Sequence, residues 1–234
     1  MAEHDPLHCA ECPVRDIAVC AGMGEAERRD LARLGRRRRF ARGQTIFAAG
    51  DDSIACATLV SGTLKLARID AQGTERMLGL VYPAGFLARL FAPTLDSSAI
   101  ALTDVELCLF ARSDVEREMH AHSGFMARVL AATTDQLAQS HALIELIGRN
   151  DARARLAGLL CLLVDQHCDG PADNGLRLEL PLGRGDIAAL LGTTIETISR
   201  QIGALEAEGI VRRDGLRHLL ICDVGMLHRA AGLG

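Results

Sequence analysis

Residues 184–205 read RGDIAALLGTTIETISRQIGAL, two short helical patterns that meet at Gly192. Ala188 supplies a small side chain where two helices would cross, and Ile195 and Ile198 have the spacing that buries one face of the second helix. A glycine at the break permits a tight turn between the helices. This stretch therefore predicts a helix-turn-helix.

A β-hairpin is expected directly after that motif. Residues 209–221, GIVRRDGLRHLLI, alternate in hydropathy around Asp214 and Gly215. An Asp-Gly pair between two alternating runs is a strong short-range signal for a hairpin. A helix-turn-helix followed by such a hairpin is a winged helix, so the C-terminal part predicts a DNA-binding domain.

The second helix of the motif carries polar residues suited to reading base pairs. Thr193 and Glu196 fit a capping box that begins this helix directly after the turn. Glu196, Ser199 and Arg200 lie at i, i+3 and i+4 and so share its outward face. In the major groove an arginine forks onto guanine O6 and N7, a carboxylate accepts from cytosine N4, and a hydroxyl donates or accepts. The alternative is an exposed ion pair of Glu196 with Arg200, in which Glu196 serves only the cap.

Composition and net charge limit the classes of protein to which this sequence could belong. Hydrophobic residues make up 49% and charged residues 24% of the 234 residues, enough apolar material for one or two packed domains. The net charge of -4 does not by itself indicate a nucleic-acid partner, so DNA binding depends on local features. The sequence shows no glycine-rich phosphate loop, nucleophile elbow or paired His and carboxylate set. The chain is therefore not expected to be an enzyme.

The sequence predicts a cytoplasmic location. The first residues, MAEHDPLHCAEC, lack the apolar core of a secretory signal. The longest apolar stretch, residues 156–164, is far shorter than the roughly 18 residues that a membrane-spanning helix needs. In a reducing compartment the eight cysteines would serve metal binding, redox chemistry or burial more often than disulfide bonds.

Short β-type runs follow a short helix in the first half of the chain. Residues 25–34 predict an amphipathic helix. Between residues 39 and 110, runs such as TLVSGTLKLARI and ELCLF are separated by Gly, Asp and Pro. This spacing predicts an antiparallel barrel or roll.

After Ser123 the turn signals stop, and a long helix is expected. Apolar or small residues recur there at alternating spacings of four and three: Met126, Leu130, Thr133, Leu137, Ser140, Ile144 and Ile147. That pattern is typical of a coiled-coil seam and predicts a helix that pairs with its copy in a homodimer. A buried core helix is the alternative. Thr133 and Ser140 would make the pairing weaker than an all-aliphatic seam.

The chain divides into four expected parts, and the fold class is α+β. Residues 1–24 form a cysteine-rich segment without periodicity, and residues 25–122 form the roll. Residues 123–150 form the dimerisation helix, and residues 151–234 form the winged helix-turn-helix domain. Residues 168–175, CDGPADNG, have the composition of a linker ahead of the DNA-reading motif.

Three closely spaced cysteines mark the N-terminal segment. HCAECPVRDIAVC, residues 8–20, places Cys9, Cys12 and Cys20 in a C-x2-C-x7-C pattern. The segment has no core of its own, so a bound group that clamps it is expected, and three thiolates call for a fourth ligand. An iron–sulfur cluster, a zinc ion and a redox-active dithiol all remain open from the ligand type alone.

Two segments of the sequence resemble the CRP/FNR family of bacterial transcription regulators. GDIAALLGTTIETISR, residues 185–200, closely matches the family's recognition motif, and FARGQTIFAAGD, residues 40–51, is similar to its cyclic-nucleotide-binding roll. A Ser in the motif, where cAMP-receptor members use Gly, resembles the FNR branch. The resemblance implies a homodimer that binds double-stranded DNA at an inverted repeat close to TTGAT-N4-ATCAA, with RNA polymerase as a further partner. It also implies a strand at residues 36–39, whose four arginines are then alternating solvated positions rather than a nucleic-acid-binding run.

The roll lacks the residues that bind cAMP in this family. A cAMP pocket needs a Gly-Glu turn for the ribose and an Arg-Ser pair for the buried phosphate charge. Here the turn at Gly85 continues with Phe-Leu-Ala, and Leu95 and Asp96 stand in place of Arg-Ser. A carboxylate at that position would repel a phosphate, so no cyclic nucleotide is expected as the effector.

The resemblance also implies a cofactor. Cys108 stands where the FNR branch carries a distant cluster ligand, which implies a [4Fe-4S] cluster held by Cys9, Cys12, Cys20 and Cys108. The seven residues between the second and third cysteines exceed the best-known family spacing and resemble a sub-branch of similar sensors. The other cysteines match no ligand position and are interpreted as buried or idle thiols: Cys56, Cys161, Cys168 and Cys222.

An oxygen response follows from the implied cluster. The intact cluster would hold the N-terminal segment against the roll beside the dimerisation helix, and oxygen would release it and with it the dimer. A regulator of the same fold that senses haem, thiol redox or a small metabolite, with a structural zinc or no metal, is the alternative.

Overall fold

The structure, a computed structural model, describes residues 9–172, 175–215 and 217–233. These residues form two compact units. The first comprises the chain up to Thr74 together with Leu78–Ser140, and the second comprises Glu75–Met77 and the chain from His141 onward. Residues 1–8, the start of the expected cysteine-rich segment, lie outside the described part.

The strands before the long helix confirm the predicted roll. Their bounds are β1 Arg36–Phe40, β2 Thr45–Phe47, β3 Ala55–Ser61, β4 Leu64–Ile69, β5 Glu75–Val81, β6 Phe86–Leu87, β7 Ser98–Ala101 and β8 Val105–Ala111. Over the described residues they form two four-stranded sheets, in the orders β1-β8-β3-β6 and β2-β7-β4-β5. The pairs that β8 makes with β1 and β3 are antiparallel.

Strand β8 divides its side chains between two cores, because successive strand residues face opposite sides of a sheet. Leu107 is fully buried in a cluster that includes Leu59 and Leu64. Cys108 and Phe110 face the other way and pack in a cluster with residues of the N-terminal segment and the helices. The alternation therefore points Cys108 away from the inside of the roll.

The arginine run forms strand β1, as expected, but its four positions are not all solvated. Arg36, Arg38 and Arg39 are exposed, whereas the side chain of Arg37 is only 18% exposed. Arg37 forms an ion pair with Glu106 of β8, and Arg39 Nε lies 3.4 Å from the same carboxylate. The interpretation as a solvated run is wrong for Arg37, because its side chain reaches diagonally to the carboxylate of Glu106, which is in register with Arg39 on the adjacent strand.

Helical elements make up the rest of the first unit. Two short 3₁₀ helices, Cys9–Glu11 and Val19–Gly22, precede α1 Glu25–Leu34, and α2 Arg112–Ala121 and α3 Ser123–Ile147 follow the roll. The predicted helices over residues 25–34 and after Ser123 are therefore present. The middle part of α3 leaves most of its apolar positions exposed.

The second unit contains a four-stranded sheet and four helices among its described residues. Their bounds are α4 Ala152–His167, β9 Cys168–Ala172, β10 Gly175–Glu179, α5 Arg184–Leu190, α6 Ile195–Ala207, β11 Val211–Arg213, β12 His218–Ile221 and α7 Val224–Ala230. The strand order is β11-β12-β10-β9. The antiparallel pairing of β11 with β12 confirms the predicted hairpin.

The expected linker at residues 168–175 is wrong. Most of it is strand β9, which pairs antiparallel with β10. Pro and Gly indicated a linker, yet β9 is the last strand of its sheet, and an edge strand tolerates Pro171 because one side of its backbone needs no partner. None of the helices in the described part of the chain has the length and apolar character to cross a membrane.

Candidate functional site

Helix α6 begins one residue later than the predicted capping box requires. Its N-cap is Thr194, whose backbone is extended and whose hydroxyl accepts from the Thr197 backbone N–H at 3.2 Å. The capping box with Thr193 is wrong because Thr193 lies outside the helix end. Glu196 sits in the first turn, where hydrogen bonds from its own backbone N–H and from the Thr194 side chain hold the pKa of its carboxyl below the ordinary value.

The inner face of α6 is apolar, with one exception to the sequence prediction. Ile198, Ile202 and Leu205 are buried. Ile195, which was also expected to be buried, is 50% exposed. Gly185 of α5, which has no side chain, lies next to it, and a Cβ there would be 3.9 Å from Ile195 Cδ1.

The three polar residues predicted to read DNA lie on the opposite side of α6. Glu196 and Arg200 are exposed, and Ser199 is half-buried. Nη1 of Arg184, the first residue of α5, donates to Ser199 Oγ at 2.9 Å. Sequence reasoning missed Arg184, because the only local signal was a charged residue at the start of the motif.

The wing is attached to the C-terminal half of α6. Glu206 accepts from the Arg213 backbone N–H at 3.0 Å, and its carboxylate lies 3.3 Å from Arg213 Nε. Arg213 is the last residue of β11. These contacts fix the hairpin to the helix that precedes it.

Four cysteines line one cavity in the first unit. They are Cys9, Cys12, Cys20 and Cys108. The first and third lie in the two 3₁₀ helices and the fourth on β8, so residues far apart in sequence meet here. Much of the remaining wall is apolar and includes Val14, Val60, Phe86, Phe110 and Phe125.

Three of the thiols in this cavity, those of Cys9, Cys20 and Cys108, have raised pKa values. Burial raises the pKa of Cys108 to about 12, and the neighbouring Cys12 thiol adds to the rise. Burial, followed by Cys12, also raises the pKa values of Cys9 and Cys20. The guanidinium of Arg37 acts in the opposite direction on Cys9 and Cys108. A metal group must therefore displace protons from these thiols, as thiolate ligands require.

The donor set suits a thiolate-ligated group. Sulfur ligands select zinc, copper(I) or iron–sulfur clusters. Within residues 9–172, 175–215 and 217–233, no three His, Cys, Asp or Glu side chains are placed as ligands of a single metal ion. The four thiols that line one apolar cavity instead suit a metal cluster, which is larger than a single metal ion.

Among the cysteines whose side chains the structure describes, the other three do not line this cavity. Cys56 and Cys161 are buried and Cys222 is exposed. Burial raises the pKa of Cys56 to about 12 and that of Cys161 to about 11, so raised thiol pKa values do not distinguish the two groups of cysteines. The side chain of Cys168 lies outside the described residues.

The cysteine segment is in direct contact with α3. A Cβ on Gly22 would clash with the Gly124 carbonyl oxygen, and a Cβ on Gly124 would clash with that of Gly22. Arg128 Nη2, one turn further along α3, donates to the Ile17 carbonyl at 3.0 Å. The chain that carries Cys20 is therefore held to the first turns of α3.

The seven predicted seam residues form a stripe along α3, here called the α3 stripe. All of them are exposed except Ser140, which is half-buried, and Leu130 and Ile144 are each 67% exposed. The Thr133 hydroxyl donates to the Val129 carbonyl at 2.9 Å, and the Ser140 hydroxyl donates to the Gln136 carbonyl at 3.0 Å. The two polar members of the stripe are thus satisfied within their own helix.

A pocket inside the roll contains the two residues that the family resemblance aligns with Arg-Ser. Leu95 and Asp96 line it, together with Arg89 and Gln136. The Asp96 carboxylate forms an ion pair with Arg89 and accepts from the Ser97 hydroxyl at 3.2 Å. The carboxylate expected to repel a phosphate therefore lines the pocket and has a cationic partner.

Two family models match the chain and define its class. The cyclic nucleotide-binding domain matches residues 37–122, and the Crp-like helix-turn-helix domain matches residues 154–230. The chain belongs to the CRP/FNR family of transcription regulators. It is therefore a DNA-binding regulator and not an enzyme.

Individual relatives agree with this class over nearly the whole chain. The transcriptional activator protein FnrL of Cereibacter sphaeroides is 34% identical over 230 residues, which are 97% of this chain and 93% of the relative. The nitrogen fixation regulation protein FixK of Bradyrhizobium diazoefficiens is 30% identical over 213 residues, with 90% and 89% covered. The solved structure of FixK2 from Bradyrhizobium japonicum shares the fold, with a TM-score of 0.76 at 21% identity over 84% of this chain and 97% of that one.

Proposed function

We propose that this chain is an oxygen-responsive transcription activator that binds DNA as a homodimer while a [4Fe-4S] cluster is intact. The observation that carries the proposal is the cavity in which Cys9, Cys12 and Cys20 meet Cys108 beside α3. FnrL is named as a transcriptional activator, which supports activation, through RNA polymerase, as the effect of binding. A cytoplasmic location fits this role.

The four cavity cysteines would hold the cluster. When bound, a [4Fe-4S] cluster supplies an oxygen-labile link among four thiolates. The chain supplies the rest: an apolar wall that limits water, and the Arg37 guanidinium, which favours the thiolate forms of Cys9 and Cys108. Arg28 donates to the Cys20 carbonyl at 3.3 Å and to the Met23 carbonyl at 3.1 Å, which orders the backbone after the third ligand.

The contact with α3 would transmit the state of the cavity to the dimer. Gly22 and Gly124 are in backbone contact, and Arg128 bonds the Ile17 carbonyl. While the cluster links the N-terminal segment to Cys108, the segment keeps these contacts and holds the start of α3 in place. Release of the segment removes them, and the α3 stripe then loses the support that favours pairing with a second copy.

Helix α6 would read the DNA. Glu196, Ser199 and Arg200 share its outward face near the N-terminal end, the end that enters the major groove. Two such helices in a dimer would bind an inverted repeat close to TTGAT-N4-ATCAA. A single half-site contact is weak against competing DNA, so loss of the dimer removes specific binding without any change in α6.

The effector would not be a cyclic nucleotide. The roll pocket contains an acidic side chain, Asp96, at the position where the family's cAMP pocket has its phosphate-binding pair. Its partner Arg89 is engaged by that carboxylate. A phosphate would have to displace Asp96 from Arg89 and then remain beside it, which is unfavourable for two anions.

Anaerobic iron and sulfide analysis of the purified full-length chain tests the proposal. About four iron and four sulfide per chain are expected, since each thiolate binds one iron of the cluster. The same sample should sediment as a dimer and bind the inverted repeat, and exposure to air should abolish iron content, dimer and binding together. One zinc per chain with unchanged DNA binding in air would contradict the proposal.

A further inference from the structure

We infer that Arg184 is a positioning residue for base reading: it fixes the Ser199 side chain so that the hydroxyl presents its proton to a hydrogen-bond acceptor on a base edge. The inference rests on the proposed DNA-reading role of α6. Its starting point is the bond from Arg184 Nη1 to Ser199 Oγ at 2.9 Å, which joins the first residue of α5 to the reading face of α6.

The direction of this bond decides what Ser199 can offer to DNA. A serine hydroxyl has one proton to donate and two lone pairs to accept with, whereas a guanidinium has only donors. Arg184 therefore occupies a lone pair of Ser199 Oγ and leaves the proton available. The positive charge beside Oγ also opposes the approach of a second donor.

Other helical hydroxyls in this chain are used differently. Those of α3 donate to the carbonyl four residues earlier in their own helix, at 2.9 to 3.0 Å: Thr133, Thr134 and Ser140. Such bonding is the common fate of Ser and Thr inside helices. Among the described residues, Ser199 makes no such bond to the Ile195 carbonyl, and its hydroxyl contacts Arg184 instead. Arg184 thus keeps the hydroxyl turned away from its own helix.

The base that Ser199 can read follows from these donors and acceptors. In the major groove guanine and thymine present acceptors, adenine presents both an acceptor and a donor, and cytosine presents only a donor. A hydroxyl with one lone pair occupied and a cation beside the other favours donation, and so it disfavours cytosine. Without Arg184 the hydroxyl can rotate and accepts from cytosine N4 more readily, so that the discrimination falls.

The start of α5 is suited to this contact. Arg184 is exposed, and the next residue, Gly185, has no side chain between α5 and Ile195. A planar guanidinium orients a partner through a rigid fork, which a lysine ammonium on its flexible stem does not do. Arg184→Lys therefore keeps the charge but loses the orientation, which separates positioning from a simple phosphate contact.

Binding-site selection with the full-length anaerobic dimer tests the inference. The duplex library carries a randomised half-site, and the proteins are wild type, Ser199→Ala, Arg184→Gln, Arg184→Lys and the Ser199→Ala/Arg184→Gln double variant. Glu196→Ala and Arg200→Ala are included to test reading by α6 itself. Arg153→Gln is the charge-matched control, since Arg153 is paired with Glu208. Ser199→Ala and both Arg184 variants should reduce the preference at the same base pair by about fivefold or more, the size of one mismatched pair. The double variant should lose no more than either single change, and the control should keep the wild-type preference.

Several outcomes would overturn the inference, and the first two concern Arg184 directly. In one, Arg184→Gln weakens binding to all sequences equally and leaves every base preference unchanged. The slope of log K against log salt concentration then falls by about the amount expected for one phosphate contact, and Arg184 is a phosphate ligand. In the other, the losses from Ser199→Ala and Arg184→Gln add. If Ser199→Ala, Glu196→Ala and Arg200→Ala all leave the preferences unchanged, the proposed reading by α6 is wrong as well. If Ser199→Ala alone flattens a preference, only the role of Arg184 is wrong.

Discussion

The carbonyl oxygen of Gly22 occupies the space that a side chain on Gly124 would need, and the Gly124 carbonyl fills the corresponding space at Gly22. Neither glycine is among the residues with a positive φ. Close approach of two backbones therefore explains both glycines, and backbone conformation does not. The contact joins the segment that carries Cys20 to the first turn of α3.

Gly124→Ala should weaken the anaerobic dimer. The new methyl group clashes with the Gly22 carbonyl, so the N-terminal segment must move away from α3, and overpacking of this kind costs about 1–3 kcal/mol. Alanine itself favours a helix more than glycine does, so α3 should remain intact. Sedimentation velocity at matched iron content measures the effect on the dimer.

Gly79→Ala is the matched control for that variant. A Cβ at Gly79 meets nothing within 4 Å, so this change adds a methyl group without a clash. It should leave dimerisation as in the wild type. Equal dimerisation of the Gly124→Ala and Gly79→Ala variants would show that the glycine contact does not couple the segment to α3.

Leu137→Glu should give monomers even when the cofactor is intact. Leu137 is 55% exposed in the α3 stripe, and a homodimer would bring two glutamates together at an apolar position. The single chain should keep its thermal stability, because the substituted side chain already lies in solvent. A variant that still sediments as a dimer under anaerobic conditions would rule out the α3 stripe as the interface.

Ser140→Leu should strengthen the same interface. The Ser140 hydroxyl bonds only the Gln136 carbonyl, which also accepts the helical hydrogen bond, so its loss leaves no buried group without a partner. The added apolar burial contributes about 1–3 kcal/mol per helix. DNA binding should therefore persist in part after exposure to air, which an electrophoretic mobility assay in air would detect.

Arg200→Ala should lose both affinity and selectivity. Arg200 is exposed on the outward face of α6, and one forked contact to guanine contributes about 1–3 kcal/mol. The preference at one base pair of each half-site should flatten, as titrations of single-base operator variants would show. Uniform weakening on every sequence would instead assign Arg200 to a phosphate.

The cavity cysteines and the remaining cysteines should respond differently to substitution. Cys108→Ser leaves three thiolates and a poor oxygen ligand, so anaerobic iron content and dimerisation should both fall. Cys161 lies in the buried core of the second unit, so Cys161→Ala should lower the thermal unfolding temperature. The anaerobic absorption spectrum should remain unchanged. Full iron in Cys108→Ser, combined with iron loss in Cys161→Ser, would place the fourth ligand elsewhere.

Local sequence patterns predicted the elements of this fold better than their contacts. The repeating spacing after Ser123 and the alternation around Asp214 each correspond to an observed helix or hairpin, because both patterns depend on neighbouring residues. The strand at residues 168–172 was missed, since its pairing with β10 outweighs the turn-forming composition. The N-cap of α6 is Thr194, one residue after the predicted Thr193, because local sequence patterns define helix ends only to within one or two residues.

The contacts that the sequence could not predict join distant segments. Arg128 and Ile17 are 111 residues apart, and no local pattern links them. The Arg184 bond to Ser199 spans the turn of a recognised motif, yet the motif specifies apolar spacing and leaves this polar contact undetermined. Cys108 was assigned only through the family resemblance, because a single cysteine on a strand carries no signal of its own.

The exposure of the α3 stripe in a single chain has a consequence for dosage. If pairing through this face is what permits DNA binding, the amount of active regulator varies with the square of the free chain concentration, and a doubling of the chain raises the dimer about fourfold while monomer predominates. The oxygen level at which target genes respond would then depend on how much of the protein the cell makes. A cell could shift that threshold through expression alone, with no change in the cysteines.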